Sequence, residues 1–531
     1  MSQNENPCIA RGFDGGISYG ITREYVRTRG WGIWQAFREV VQNALDETQY
    51  VTKKWPASYP CSNTPLMTYV RDTGRGITVK HLLIGTSEKP EWSRGRFGEG
   101  LKLALMTFRH QGIPVAIFAG DRQIVPFFIT TNVDGVNAEM FYICYKKVSE
   151  SITGTEVRIV DPTLCQQFRK NFVQGLPTDC IKNFTIKKND EGMIIWWENI
   201  LDCDDARGRI YVRDIYVRDM PALFGYNLFD VKLSESRDIA NEYDIRSGIN
   251  DLWGDLINAL DAERGRPGTH NPQYVEQWTE LLRKLIDGAL KASMNNGNEV
   301  ETEIYPSTAI GGVVADLFMQ MYGKDAVVVT DPQTLELAKY YHMDPIFFCT
   351  KPFCGWLQYA TETYNRMDKK AGSVTNSNIV SKDELPSPLK CVIDDLEKIA
   401  NYVTKDTLYS TEYLYSGNKI KYAYLKQGVC GEARYKSGGS QIAISVPCLM
   451  ASCNPNNFDT VEEAATKCVR EYISVLLHED AHVASRSTDG TTAFERELTE
   501  ELGFTVTNTL KYSKEISALV NDIEDKMKKY K

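Results

Sequence analysis

The sequence predicts an α+β chain of several domains, and three observations carry that prediction. At 531 residues the chain is longer than one hydrophobic core ordinarily serves. Amphipathic helical runs lie near both ends, around Trp34 to Leu45 and from Val461 to Ala484, whereas the middle holds short β-type runs such as Ile210-Tyr211-Val212 and Ile215-Tyr216-Val217. With 42% hydrophobic residues and no low-complexity tract, there is enough apolar surface to fill the cores. The expected division is an α/β sandwich at residues 1–195, an α/β middle domain at 196–300, a small α/β segment at 301–375 and a mostly helical domain at 376–531.

The first element to justify is a helix from Trp31 to Thr48, where Trp34, Phe37, Val41 and Leu45, with Val40 and Ala44, recur at helical spacing. At about 100° per residue, Glu39, Asn43 and Asp46 fall within an arc of roughly 60° on that helix. Pro65 to Val70 reads as a strand running into Asp72-Thr73-Gly74-Arg75-Gly76. A carboxylate at a strand end followed by alternating glycines lets backbone approach a flat ligand. Next, Gly95-Arg96-Phe97-Gly98-Glu99-Gly100-Leu101-Lys102 opens a helical run through Leu103, Leu105 and Met106. Glycines before a helix N-terminus present free N–H groups and a favourable dipole to phosphate. Ser151 to Val160, with Gly154-Thr155 inside it, reads as a further strand.

In order and spacing, E-x-x-x-N-x-x-D on a helix, D-x-G-x-G after a strand and G-x-x-G-x-G-L before a helix resemble the N, G1 and G2 boxes of the GHKL ATPases. That superfamily includes gyrase, the large heat-shock chaperone, histidine kinases and MutL-like repair proteins; Gly154-Thr155 is similar to its last box. The resemblance spans residues 30–160 and implies a Bergerat-fold α/β sandwich that binds ATP with magnesium and hydrolyses it. It assigns Glu39 as the base that polarises water, Asn43 as the magnesium ligand and Asp46 as support for the surrounding water network. Asp72 accepts from the adenine amino group with Thr155 beside it, and Gly74 and Gly76 shape that turn. Gly98, Gly100, Leu101 and Lys102 cradle the phosphates, under a lid from Leu83 to Gly100 that carries Lys89. Glu47 stands where the family commonly has Ala, which adds negative charge near the metal. Residues 196–300 resemble a transducer, in which Lys232 or Arg237 is placed to reach the γ-phosphate. A homodimer and a protein client both fit such a resemblance. A histidine kinase does not, because no dimerisation helix with a phospho-acceptor His precedes Glu39.

Further along, Ile249, Leu252, Leu256 and Leu260 mark a helix, a Gly/Pro turn lies between Arg264 and Pro272, and Asn295 to Glu303 reads as a polar linker. Residues 310–350 read helix, strand, helix, strand. Their runs Ala326 to Thr330 and Pro345 to Phe348 are of the buried kind that a parallel sheet needs. No phosphate-binding glycine pattern follows them, so packing is the expected role.

Near the C-terminal end, Thr460 and Glu463 form a capping-box pattern ahead of a long helix that contains His478-Glu479-Asp480-Ala481-His482. The i, i+4 spacing puts both imidazoles on one face, able to share a zinc ion, with Glu479 beside them to handle a water. Only six histidines occur in the chain, so two of them on one turn is a pointed arrangement. A turn and a second helix follow at Asp489 to Leu498, and this helix-turn-helix resembles compact zincin metallopeptidases. The resemblance implies zinc on His478 and His482, Glu479 as the catalytic residue and a peptide substrate. The third ligand stays open between Asp489 and Glu495, since Thr488, at the metzincin position, serves poorly. A closed structural site needs a fourth protein ligand, and no His or Cys stands close by in sequence.

Several classes are disfavoured. Met1 to Pro7 has no basic or apolar leader region, and no run of apolar residues is long enough to cross a membrane, so a cytoplasmic location without membrane contact is expected. Thirteen scattered cysteines without a C-x-x-C pair suit reduced, buried thiols better than a disulfide framework. A net charge of −9 with dispersed cations gives no electrostatic reason to expect nucleic acid. The reading as a whole is an ATP-driven conformational change that controls a zinc metallopeptidase-like domain. Its rival is a chaperone-like ATP clamp whose metal domain is structural or inactive.

Overall fold

The computed structural model describes residues 6–83, 93–94, 99–133, 135–188, 194–231, 233, 241–294, 312–348, 357–358, 379–405, 420–425, 428–436 and 439–531. It is mixed α/β with several sheets. The expected lid from Leu83 to Gly100 with Lys89 and Gly98 lies largely outside these residues, as do Lys232, Arg237 and the linker at 295–303.

The first sheet is antiparallel. It contains β1 (Gly15–Thr22), β2 (Cys61–Asn63), β3 (Thr68–Asp72), β4 (Val115–Val133) and β5 (Val136–Ile159). β5 pairs along its length with β4 and, towards its two ends, with β1 and β3, while β2 pairs with β3. The apolar faces of α2 (Ile33–Thr52) and α3 (Gly100–His110) supply Phe37, Val41, Leu45, Leu105 and Phe108 to one core with Val70, Ile117, Val157 and Ile159. Each such side chain contributes roughly 1.5–3 kcal/mol when fully buried. Burial alternates along β3, so Asp72 shares the inward face of Thr68 and Val70.

A second sheet runs in the order β6 (Ile181–Lys188), β7 (Ile194–Leu201), β10 (Gly225–Leu228), β8 (Arg209–Val212), β9 (Ile215–Asp219), with β8 and β10 parallel. Because β6 pairs with β7 from Ile181 onwards, this sheet begins before residue 195, where the sequence suggested a boundary. Trp253, on the helix Glu242–Gly265, packs fully buried and donates its Nε1–H to the Tyr226 hydroxyl at 3.1 Å. The chain divides into two compact units, and the division between Leu256 and Ile257 falls inside that helix.

In the second unit, β11 (Val327–Val329) and β12 (Ile346–Phe348) form the expected parallel pair. A four-stranded sheet follows in the order β13 (Ile379–Val380), β14 (Ile420–Ala423), β16 (Gly439–Ser445), β15 (Gly431–Lys436), which leaves β15 at an edge. Among the helices of this unit are Ile393–Val403, Val446–Cys453, Val461–Ser485, Thr492–Lys511 and Ser513–Met527. Val327, Val329 and Leu337 share one core with Leu396, Ile444, Leu449 and Leu476. The stretches 301–375 and 376–531, expected as separate domains, therefore pack together among the described residues. Thr460 caps the long helix, its Oγ1 accepting from the Glu463 N–H at 3.1 Å.

The cysteines correct the sequence expectation. Among the described residues four disulfides join Cys8 to Cys144, Cys180 to Cys203, Cys430 to Cys448 and Cys453 to Cys468, whereas Cys61, Cys165 and Cys391 are outside them. Spacing along the chain missed them because the fold returns one segment to another: Cys8 meets Cys144 of β5, 136 residues away, and Cys453 and Cys468 face each other from two helices. Among the described residues, no helix is long and apolar enough to cross a membrane.

Candidate functional site

In the first unit Asp72 and Thr155 stand together at one end of β3. The register of β3 and β5 sets Asp72 directly opposite Thr155. Asp72 Oδ1 accepts from the Gly74 N–H at 2.8 Å and from the Thr155 N–H at 3.2 Å. Burial pushes the Asp72 carboxyl up to about 6, although these two N–H groups pull the other way. Gly154 makes the approach possible: its φ is +77°, and a Cβ there would stand 2.1 Å from the Asp72 carbonyl oxygen. Gly76 is also left-handed, at φ +80°.

Glu39 and Asp46 are not a solvated face, since both are buried and Asn43 is half-buried. The Glu39 carboxylate lies against the N-terminus of α3, where a Cβ on Gly100 would come within 2.1 Å of its Oε2. Glycine there lets an anion reach the positive end of the helix. Lys102 is buried in the same helix, and Leu101 packs against the core. Glu47 does not leave bare charge beside a metal, because Arg75 neutralises it through Nη2–Oε1 at 2.7 Å and Nε–Oε2 at 3.2 Å.

Asp46 shows something the sequence did not. Its Oδ1 accepts from the backbone N–H of Arg94 at 3.0 Å and from Arg94 Nη1 at 3.2 Å. Arg94 also donates to Gln49 Oε1 at 3.0 Å and pairs with Asp214, both of those charged side chains being fully buried. Asp214 sits at the turn between β8 and β9 with a left-handed φ of 71°. It further accepts from Trp55 Nε1 at 3.0 Å and Asn227 Nδ2 at 2.8 Å. A charged pair in a β-turn ordinarily reads as solvated, so no sequence pattern singled out Arg94 or Asp214.

In the second unit the long helix ends at Ser485, and Arg486, at φ +52°, reverses the chain back over it. That return brings Asp489 Oδ1 to 3.3 Å from Nε2 of both His478 and His482. The ligand atoms of these three residues all lie within 4.8 Å of one another, a candidate metal-binding group. Glu495 is exposed in the first turn of the next helix and is not part of this group; it is Phe494 that packs on the imidazoles, with ring centroids 4.4 Å from His482 and 5.2 Å from His478. His482 Nδ1 donates to the Ser487 carbonyl at 2.7 Å. Since a carbonyl only accepts, Nδ1 of His482 carries a proton, and its Nε2 is turned to the Asp489 carboxylate.

Glu479 lies beside this cluster, wedged against the edge strand: a Cβ on Gly431 would stand 2.6 Å from its Cγ. Burial pushes its carboxyl up to about 7, with His482 and the Ala433 N–H lowering it. A cleft of about 660 Å³ opens here, lined by β15, Ser474, Val475, Glu479, both imidazoles and Asp489. Compared with known proteins, the chain matches no family model and no curated sequence.

Proposed function

We propose that the first unit binds and hydrolyses ATP in the GHKL manner and that the second carries a zinc hydrolase centre acting on peptides. The observation that supports the ATP reading is the pairing of buried Asp72 with Thr155 across β3 and β5, on the face packed by the helix that bears Glu39 and Asn43. Asp72 would take the adenine amino group. Asn43, one turn beyond Glu39, would hold the nucleotide's magnesium, and Glu39 would accept the proton of the attacking water.

In the second unit, two imidazole nitrogens and one carboxylate oxygen suit the three-ligand set of a hydrolytic zinc site. Zinc held there would lower the pKa of a bound water and polarise a scissile carbonyl. Glu479, beside both imidazoles in the cleft, would take and return a proton. The edge strand β15, which lines the cleft, would offer backbone partners to an extended peptide, and the Ser487 carbonyl would keep His482 in a ligating tautomer.

An ATP-turnover assay combined with metal analysis tests both halves. Magnesium-dependent turnover and about one zinc per chain, lost on replacing His478 and His482, are the expected results. Zinc that is needed for stability but supports no peptide cleavage would favour the chaperone-like clamp.

A further inference from the structure

We propose that Cys430, Cys448 and Glu471 form a second metal site, for a thiophilic divalent cation such as zinc, available only when the Cys430–Cys448 disulfide is reduced. Their ligand atoms also lie within 4.8 Å of one another. They come from three different elements of the second unit. Cys430 immediately precedes the edge strand β15, Cys448 lies in the first turn of the helix Val446–Cys453, and Glu471 is mid-way along the helix Val461–Ser485. Each is fixed by its backbone: the Ser445 N–H donates to the Cys430 carbonyl at 2.8 Å, and Ser445 Oγ caps the helix through the Cys448 N–H at 3.4 Å. Leu449, Met450 and Tyr472, which adjoin two of the ligands in sequence, are buried in the core. The backbone that carries the site is therefore fixed, and on reduction only the two sulfurs have to part for a cation to enter.

The position of Glu471 argues for more than a structural cross-link. Its Oε1 lies 3.3 Å from the Cys448 sulfur. A disulfide sulfur has no proton to donate, so an ionised carboxylate gains little beside it. The same contact becomes favourable when the sulfur is a thiol, which donates, or when a cation is shared between thiolate and carboxylate. The other carboxylate oxygen has Lys467 Nζ only at 3.9 Å. Two sulfurs and one oxygen form a ligand set for zinc rather than magnesium or calcium, with one coordination position left for water.

The switch balances. A dithiol reductant gives two electrons and two protons to the disulfide and is itself oxidised to a disulfide; the two thiols formed lose those protons when the cation binds. A disulfide or peroxide oxidant withdraws the electron pair, restores the S–S bond and releases the ion. Cys430 also lines the cleft that contains Glu479 and the imidazoles, so the redox state would be felt where the hydrolytic centre lies.

The test uses the full-length chain with cobalt(II) as the probe. Under anaerobic conditions, protein reduced with a phosphine and freed of metal should bind one more equivalent of cobalt than disulfide-bonded protein. The added ion should show a thiolate-to-cobalt charge-transfer band. Cys430→Ser and Cys448→Ser should each abolish that band, and Glu471→Gln should weaken binding by at least roughly tenfold. The imidazole–carboxylate centre has no sulfur and cannot give the band, so failure there and failure here are separable; the His478→Ala/His482→Ala variant should keep the band. If a variant fails to fold, alkylation of the reduced wild-type chain serves instead: cobalt should protect Cys430 and Cys448 and leave the thiols of the other reduced disulfides open to the reagent. Equal cobalt content in the two redox states, or a band that persists in Cys430→Ser and Cys448→Ser, overturns the proposal.

Discussion

In the proposed nucleotide site Glu39 and Asp72 would divide the labour, and their substitutions should separate binding from chemistry. Glu39→Ala should still bind ATP while turnover falls by roughly a hundredfold or more, because only the proton acceptor is lost. Unchanged turnover would remove Glu39 from the role of base. For Asp72 the expectation concerns pH. Burial holds its carboxyl up at about 6, and only the ionised form accepts from an amino group at both oxygens. ATP affinity measured by calorimetry should therefore fall as the pH drops through about 6 and be level above about 7; Asp72→Asn should bind poorly throughout. A third residue makes a stability prediction. Glu501, buried and without a hydrogen bond to its Oε2, has its carboxyl raised from 4.5 to about 9 by burial and by the nearby charges of Asp480 and Glu497. The folded state thus keeps a proton that the unfolded state has released. Its stability contribution is intact below about 4.5 and is lost as the pH rises towards 9. Glu501→Gln should therefore stabilise the protein at pH 8 by on the order of 2 kcal/mol and change it little at pH 4. Thermal melts of the two proteins at both pH values would decide it.

Between elements, the buried cluster around Arg94 is where most depends on one side chain. It ties α2, through Asp46 and Gln49, to the β8–β9 turn, through Asp214, in a place shielded from water. Removing one partner of such a pair leaves the other charged and unsolvated. Asp214→Ala or Arg94→Ala should cost roughly 3–5 kcal/mol, whereas the double replacement should cost less than the sum, as a denaturant titration of the cycle would show. Additive losses would mean that the pair contributes no coupling. The elements that meet there were unevenly legible in the sequence. α2, α3 and the helix bearing His478 carry their own 3.6-residue periodicity, and β8, β9, β11 and β12 show as short β-branched and aromatic runs. Their candidate site residues are neighbours for the same reason: helical spacing alone puts Glu39 beside Asn43 and His478 beside His482. What could not be read depends on tertiary return. Asp489 rather than Glu495 reaches the imidazoles because Arg486 adopts a left-handed conformation, which a side-chain-bearing residue does not announce. Likewise, Arg94 meets Asp214 across 120 residues and Cys8 meets Cys144 across 136, separations that no local pattern records.

At the scale of the whole molecule, the question is whether the proposed nucleotide site and the cleft with the candidate metal ligands, which belong to different compact units, act on each other. Their presence in one chain is an argument from architecture, and it acquires physical content only through a differential affinity: ATP can shift the second unit only if it binds one conformation of the chain more tightly than another. A shift from one per cent to ninety-nine per cent occupancy needs roughly a ten-thousandfold difference, about 5.5 kcal/mol, so a smaller difference should give a graded response. The helix Val461–Ser485 and the turn that carries Asp489 are the reporters to watch, since they hold the candidate ligands and line the cleft. With a non-hydrolysable ATP analogue at saturation, hydrogen exchange across residues 470–500 should differ from that of the nucleotide-free protein. Glu39→Ala should produce the same difference with ATP itself, because it binds but does not turn over, whereas wild-type protein should relax as ATP is consumed. Asp72→Asn, which binds poorly, should show no change at matched nucleotide concentration and so excludes effects of ATP that bypass the site. Exchange in the analogue-bound and Glu39→Ala samples identical to that of the nucleotide-free protein, with binding verified by calorimetry in the same buffer, would leave two independent centres on one chain, and the second unit would then have to be governed by its metal and thiol chemistry alone.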